Sequence, residues 1–384
     1  MIVLACISAV SVFAFCTPSR FKTAYFLLLS VLLSAIYFFF APPPEYDLFR
    51  YYQLLGSLKD VAFGDLFSSA NYNKLLEQLQ GTSKAFVAYA FVITRIPVAR
   101  LLPVVTGILV YGISAFKITR MGKDMKASEF AVSAAFVAML MLVDFRSVST
   151  IRNMLAYALI AFIAYEDLVR NANKVYCAVL YFVVCQIHMT GALFVVIRLL
   201  VLACKLLPRW VVYAATALGF VFLPMIQGLL SHFTFIPYVD QLLYKTVRYI
   251  LRYQEGIATY EPKRVFIFAL YIAALFTIYH VCRKRGLLGK EYRQYNDFFC
   301  LTVFFTLGCF LQYDLFTRNT QLIILLSAPY LLALFNYYGP QLVGIGQRKV
   351  VSTAVVFACC FLLAAFVFNY HAFYEPMNQY FVFS

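Results

Sequence analysis

Charge is what this sequence has least of. Only 13% of its 384 residues are Asp, Glu, Lys or Arg, where a soluble domain carries about a quarter. Beside 63% hydrophobic residues, that shortage excludes an ordinary soluble globular protein. Acids are the scarcer sign, 17 against 32 basic residues, for a net charge of +15. In a soluble chain this excess would point to nucleic acid. In so apolar a chain it raises a different question, on which side of a membrane the cations lie, and no nucleic-acid partner is expected. The ten cysteines include no Cys-x-x-Cys pair, so neither a zinc site nor a redox couple is indicated. Nearly all of them lie in or beside apolar runs, as small buried hydrophobes do. There is one Trp, and the 29 Tyr are left to form the aromatic belt at the membrane interface. Short alternating segments are absent, which excludes an outer-membrane barrel. No soluble domain, low-complexity linker or internal repeat is visible.

What is there is a succession of apolar runs, many close to the ~20 residues that cross a bilayer as a helix. They predict an all-α polytopic integral membrane protein, a single membrane domain over 1–384 with about twelve transmembrane helices. The spans fall roughly at 2–16, 24–41, 98–116, 128–144, 149–165, 175–187, 190–204, 210–226, 263–281, 297–312, 320–337 and 350–369. The shorter run 84–95 reads as a re-entrant or interfacial segment. MIVLACISAVSVFAF at the N-terminus lacks the basic flank and small-residue cleavage site of a signal peptide, and is expected to stay as a first span. The connections after alternate spans, KITRMGKDMK (117–126) and CRKRGLLGKEYR (282–293) among them, hold more than half of the Lys and Arg. The positive-inside rule makes that side cytoplasmic. Both termini and two longer segments, about 42–97 and 227–262, then face outward.

Few charges remain near the membrane once the cytoplasmic connections are set aside, and the outer set among them is Glu45, Asp47, Arg50, Asp144, Arg146, Arg152, His188, Asp314 and Arg318. They come from separate helix ends yet share one level, where ionisable groups are costly and face a bundle interior or a wet cavity. Each also has a structural explanation. Arg152 suits snorkelling to headgroups. Asp314 and Arg318 are spaced for an intrahelical pair. Asp47 with Tyr51 suits the end of a span, and His188 suits a cap in the tight turn of QIHMTGALF. In YVDQLLYKTVRYILRYQ (238–254), Lys245, Arg248 and Arg252 share one face of a helix whose other face is apolar. Such a helix lies in the membrane surface, against anionic headgroups or as a basic wall for an anionic lipid-linked substrate.

Four stretches in this order resemble the EpsG-like group of Wzy-type polymerases, which make O-antigen, capsule or exopolysaccharide. They are D-L-F-R-Y (47–51), S-T-I-R-N-M-L-A (149–156), H-M-T-G-A-L (188–193) and T-R-N (317–319). Thr190-Gly191 stands where that family often has Ser-Ala. The resemblance implies a glycosyltransferase-type polymerase acting on repeat units carried by undecaprenyl diphosphate, at the outer face of the bacterial cytoplasmic membrane. A diphosphate leaving group needs cations that grip its oxygens, a task suited to arginine. Arg152 and Arg318 are therefore assigned to the lipid diphosphates, with Arg146 as a helper. His188 is the first candidate base for the attacking hydroxyl and Asp47 the second. Tyr51 and Tyr52 would stack on or hydrogen-bond to the glycan, with Arg50 beside them. No metal and no cofactor is expected. Flippase and chain-length regulator proteins are the partners implied. The alternatives are a flippase or exporter of the same lipid-linked glycans, a membrane O-acyltransferase, and an O-antigen ligase.

Overall fold

The computed structural model describes residues 13–44, 46–68, 83–143, 150–219, 262–310 and 313–343. Within them the chain is helical and contains no strand. The helices are α1 (Ser19–Ala35), α2 (Asp47–Leu58), α3 (Lys84–Thr94), α4 (Leu101–Asp124), α5 (Glu129–Leu142), α6 (Ile151–Leu168) and α7 (Lys174–Ile187). After them come α8 (Thr190–Leu206), α9 (Arg209–Gly219), α10 (Pro262–Lys284), α11 (Arg293–Gly308), α12 (Tyr313–Leu326) and α13 (Ala328–Val343). Among the described residues, three stretches are long and apolar enough to cross a membrane: Arg20–Phe39, Leu101–Asp124 and Val265–Lys284. The pair Leu315–Leu326 and Ala328–Gly339, bent by 44°, makes a fourth if it counts as one span. The predicted spans at 2–16 and 350–369 and the basic helix at 238–254 lie outside the described residues, apart from the helical end of the first.

α6 is the centre of the bundle. Nearly every one of its residues is buried, Glu166 and Asp167 included, and it packs against α4, α7, α8, α11 and α12. Its neighbours alternate in direction. The connection Val169–Asn173 turns the chain so that α7 runs back along α6, and Met189 turns it again into α8. Ion pairs and ring contacts mark one end of the bundle. Asp124 at the end of α4 meets Arg170, Glu166 near the end of α6 meets Arg120, and Tyr292 before α11 meets Tyr165. Lys22 at the start of α1 reaches Glu129 O and Ser133 Oγ at the start of α5. The opposite end holds the start of α6, the start of α12 and the short helices α2 and α3.

Two boundaries differ from the sequence expectation. The third apolar run was expected to end at 116, with a basic connection from Lys117. Instead α4 continues to Asp124. Its last two turns are charged, but neighbouring charges answer them: Arg120 pairs with Glu166 at 3.1 Å, and Asp124 with Arg170 at 3.1 Å. Lys117 is buried inside the bundle. The run 320–337 is likewise two helices. Pro329 has no N–H to return to Leu325 O, so the helix breaks at Ser327. Lys117 Nζ donates to Leu325 O at 2.5 Å and Tyr295 Oη to Leu326 O at 2.8 Å. Both carbonyls freed by the break are thus satisfied from other helices.

Candidate functional site

At the end opposite the basic connections, residues from three distant segments meet. α2 is amphipathic: Leu48, Tyr51, Leu54, Leu55 and Leu58 form its buried face, and Asp47 sits in its first turn, where a helix N-terminus favours an acid. Asp47 Oδ1 pairs with Arg50 one turn on, at 3.2 Å. Its other oxygen stands 4.0 Å from Arg318 Nη2 on α12. That distance is an electrostatic approach, beyond hydrogen-bond range.

Arg152 opens α6 and is held on three sides. Its Nε donates to Tyr51 Oη at 2.8 Å and its Nη1 to Ser83 Oγ at 3.1 Å. Its guanidinium carbon also lies 5.2 Å from the Tyr51 ring centre and 5.6 Å from that of Phe86, within cation–π range. The two ring centres are 5.3 Å apart and the rings are tilted by 59°. A snorkelling arginine keeps its head loose in headgroups. Arg152 instead has its plane fixed by two acceptors and two aromatic rings. Burial pushes the Tyr51 hydroxyl above its ordinary range, Arg152 pulls it back and Asp47 pushes it up again. Tyr51 is therefore a neutral hydroxyl. Tyr52 points differently. Its hydroxyl is buried without a partner among the described residues, and burial raises it to about 12. It is not placed as an open stacking platform.

His188 closes α7 and belongs to the same end of the bundle, because α7 runs back along α6 from its far end. Its Nδ1 accepts the Thr190 backbone N–H at 3.2 Å and lies 2.9 Å from Thr190 Oγ1. A backbone N–H only donates, so Nδ1 carries the lone pair and the ring proton sits on Nε2. This side chain caps the start of α8 and presents a donor at Nε2, which counts against the base assigned to it from sequence. Gly191 has a local cause too: a Cβ there would lie 2.9 Å from the backbone of Val184 and Cys185. α8 starts so close to the last turn of α7 that the alanine common in the resembled family would not fit without a shift.

The structure thus brings together Asp47, Arg50, Tyr51, Arg152 and Arg318. Arg146, Lys245, Arg248 and Arg252 lie outside the described residues, as do Glu45, Asp144 and the side chain of Asp314. Ser83 and Phe86, which fix Arg152, carried no sequence signal. Asn319, the last residue of the T-R-N stretch, accepts the Tyr157 hydroxyl at 3.2 Å across the α6–α12 seam. No group of three or more His, Cys, Asp or Glu among the described residues could hold a metal ion.

Fold and site together define an all-helical, membrane-type bundle with an arginine cluster at one end and a network of ion pairs at the other. Comparison with protein-family models, curated proteins and solved structures finds no match for the chain.

Proposed function

We propose that this chain is a polysaccharide polymerase of the glycosyltransferase type, joining undecaprenyl-diphosphate-linked repeat units at the outer face of a bacterial cytoplasmic membrane. The observation that carries the reading is the pre-set Arg152 guanidinium, with Arg318 and Asp47 beside the same tyrosine. About twelve spans, the counted four and shorter helices included, would put this cluster at the outer membrane surface and the basic connections in the cytoplasm.

In the reaction, a hydroxyl of one repeat unit attacks the anomeric carbon of the growing chain. The new glycosidic C–O bond forms as the bond to the lipid diphosphate breaks, and the hydroxyl proton leaves to a base or to solvent. Negative charge grows on the departing diphosphate, so arginines already oriented toward it stabilise the transition state without reorganising. Arg152 and Arg318 take that role. Asp47 is the proton acceptor or sugar ligand, and His188 donates from Nε2. The test is turnover of a purified lipid-linked repeat unit by the protein in detergent or vesicles. Arg152→Ala and Arg318→Ala should each insert normally and leave single units unextended. Full-length polymer from both variants would remove the assignment.

One observation favours the flippase reading as an alternative. The α12–α13 break places two helix ends inside the bundle with the buried Lys117 side chain donating to one of them, and broken helices that meet a polar group in the interior are features of transporters. If the protein moves lipid-linked units, Lys117→Met abolishes their appearance on the outer side. If it polymerises them, Lys117→Met leaves extension of added units intact.

A further inference from the structure

A sharp charge contrast lies at the other end of the molecule. Between the end of α4, the turn from α10 to α11 and the end of α13 is a cavity of about 470 Å³, lined by Asp124, Met125, Leu287, Leu288, Gly289, Glu291, Tyr292, Ala333, Asn336 and Tyr337. This is within the size range of small-ligand sites. Two carboxylates line it and no Lys or Arg does, although it opens on the most basic part of the chain. Lys123 and Lys126 flank Asp124 and Met125 in sequence, and Lys290 and Arg293 flank Glu291 and Tyr292; all four are exposed. An acid- and tyrosine-lined cavity therefore sits inside a cationic rim.

The two acids differ. Asp124 is engaged by Arg170 at 3.1 Å and by the Tyr165 hydroxyl at 2.7 Å. Glu291 has no ion pair among the described residues. Its carboxylate folds back over Gly289, close enough that a Cβ on that glycine would collide with both oxygens. Tyr337, 41% exposed, lines the cavity, and so does the buried Tyr292.

From this arrangement we infer a binding site for the headgroup of a zwitterionic, amine-bearing phospholipid. Its primary ammonium enters the cavity against Glu291 and the tyrosine faces, and its phosphate meets the lysine and arginine rim. Leu287, Leu288 and Met125 give the glycerol end an apolar wall. The chemistry is selective. A carboxylate and a tyrosine ring both attract an ammonium, whereas a glycerol headgroup brings only its phosphate, which the rim binds without the cavity. The inference rests on the membrane character of the chain and is independent of the polymerase reading.

The experiment is native mass spectrometry of the full-length protein released from vesicles of equal phosphatidylethanolamine and phosphatidylglycerol. Wild type should retain ethanolamine lipid in preference. Glu291→Gln, at an exposed position, should weaken that retention by about tenfold or more, as expected for losing one hydrogen bond between charged groups. Retention of the glycerol lipid should not change. Gly289→Ala, which displaces the Glu291 carboxylate without altering charge, should act in the same direction. Unchanged ethanolamine-lipid retention in Glu291→Gln, or equal retention of both lipids by wild type, overturns the proposal.

Discussion

Tyr51 does two things for Arg152 at once: its hydroxyl accepts from Nε and its ring lies under the guanidinium. Tyr51→Phe separates them. The ring stays, the acceptor goes, and a donor in a part-buried setting loses its partner. The expected cost is about 1.5–3 kcal/mol, the worth of a hydrogen bond to a charged group, seen as a lower midpoint in chemical denaturation. Arg152→Lys is the sharper test of chemistry. Lysine keeps the charge but cannot hold Tyr51 and Ser83 while gripping a diphosphate in two places. Extension should fall by about 10²–10³-fold, the range for removing one preorganised transition-state donor, and retention of near-normal turnover would show that charge alone suffices. His188 is separable too. His188→Asn retains a side-chain acceptor for the Thr190 N–H, whereas His188→Ala loses the cap at about 1 kcal/mol. Equal thermal stability of the two variants would contradict the capping role.

Between elements, the close approach of α1 and α4 tests packing. A Cβ on Gly107 in α4 would lie 2.6 Å from Ser34 Oγ and 2.7 Å from the Tyr37 ring, so glycine is what lets α1 and α4 meet there. Gly107→Ala should destabilise by about 1–3 kcal/mol through overpacking, measurable as a fall in melting temperature. The elements also show how far the sequence reaches. Apolar run length located helices such as α7 (expected 175–187, found 174–187) and α8 (expected 190–204, found 190–206) closely. It stopped α4 too early at 116, because the Arg120, Asp124 and Lys117 partners come from helices far along the chain and no local window contains them. The break at Ser327 was within reach of the sequence, since Pro329 marks it. At the site, Asp47, Tyr51, Arg152 and Arg318 were legible as rare polar groups at span ends. Ser83 and Phe86 were not, because an ordinary serine and phenylalanine gain their role only from the fold that sets them against Arg152. The Nδ1 acceptor state of His188 depends on the turn geometry, which composition does not express.

Over the whole molecule, charges are divided between two ends. One end carries the Arg120–Glu166–Arg170–Asp124 network and the Lys174–Asp167–Arg198 set. The second set pairs Arg198, inside α8, with Asp167 near the end of α6. The opposite end carries the arginine cluster. The proposed topology, with the basic connections inside as the positive-inside rule expects, puts the first end in the cytoplasm. Single cysteines in a cysteine-free background check this with an impermeant thiol reagent: a cysteine at Ser57 should label in intact cells, and one at Lys290 only after permeabilisation. The reverse pattern would invert the topology and move the arginine cluster to the wrong face for outer-leaflet substrates.

The central claim is that Arg152, set by Tyr51 and Ser83, serves transfer between lipid-linked glycans. The direct measurement is incubation of the purified protein with a lipid-linked repeat unit and no nucleotide sugar, with the products resolved by chain length. The account predicts a ladder of repeats with release of undecaprenyl diphosphate, and single repeats only from Arg152→Ala. Wild-type protein that leaves the units unextended while moving them across a vesicle membrane would contradict it.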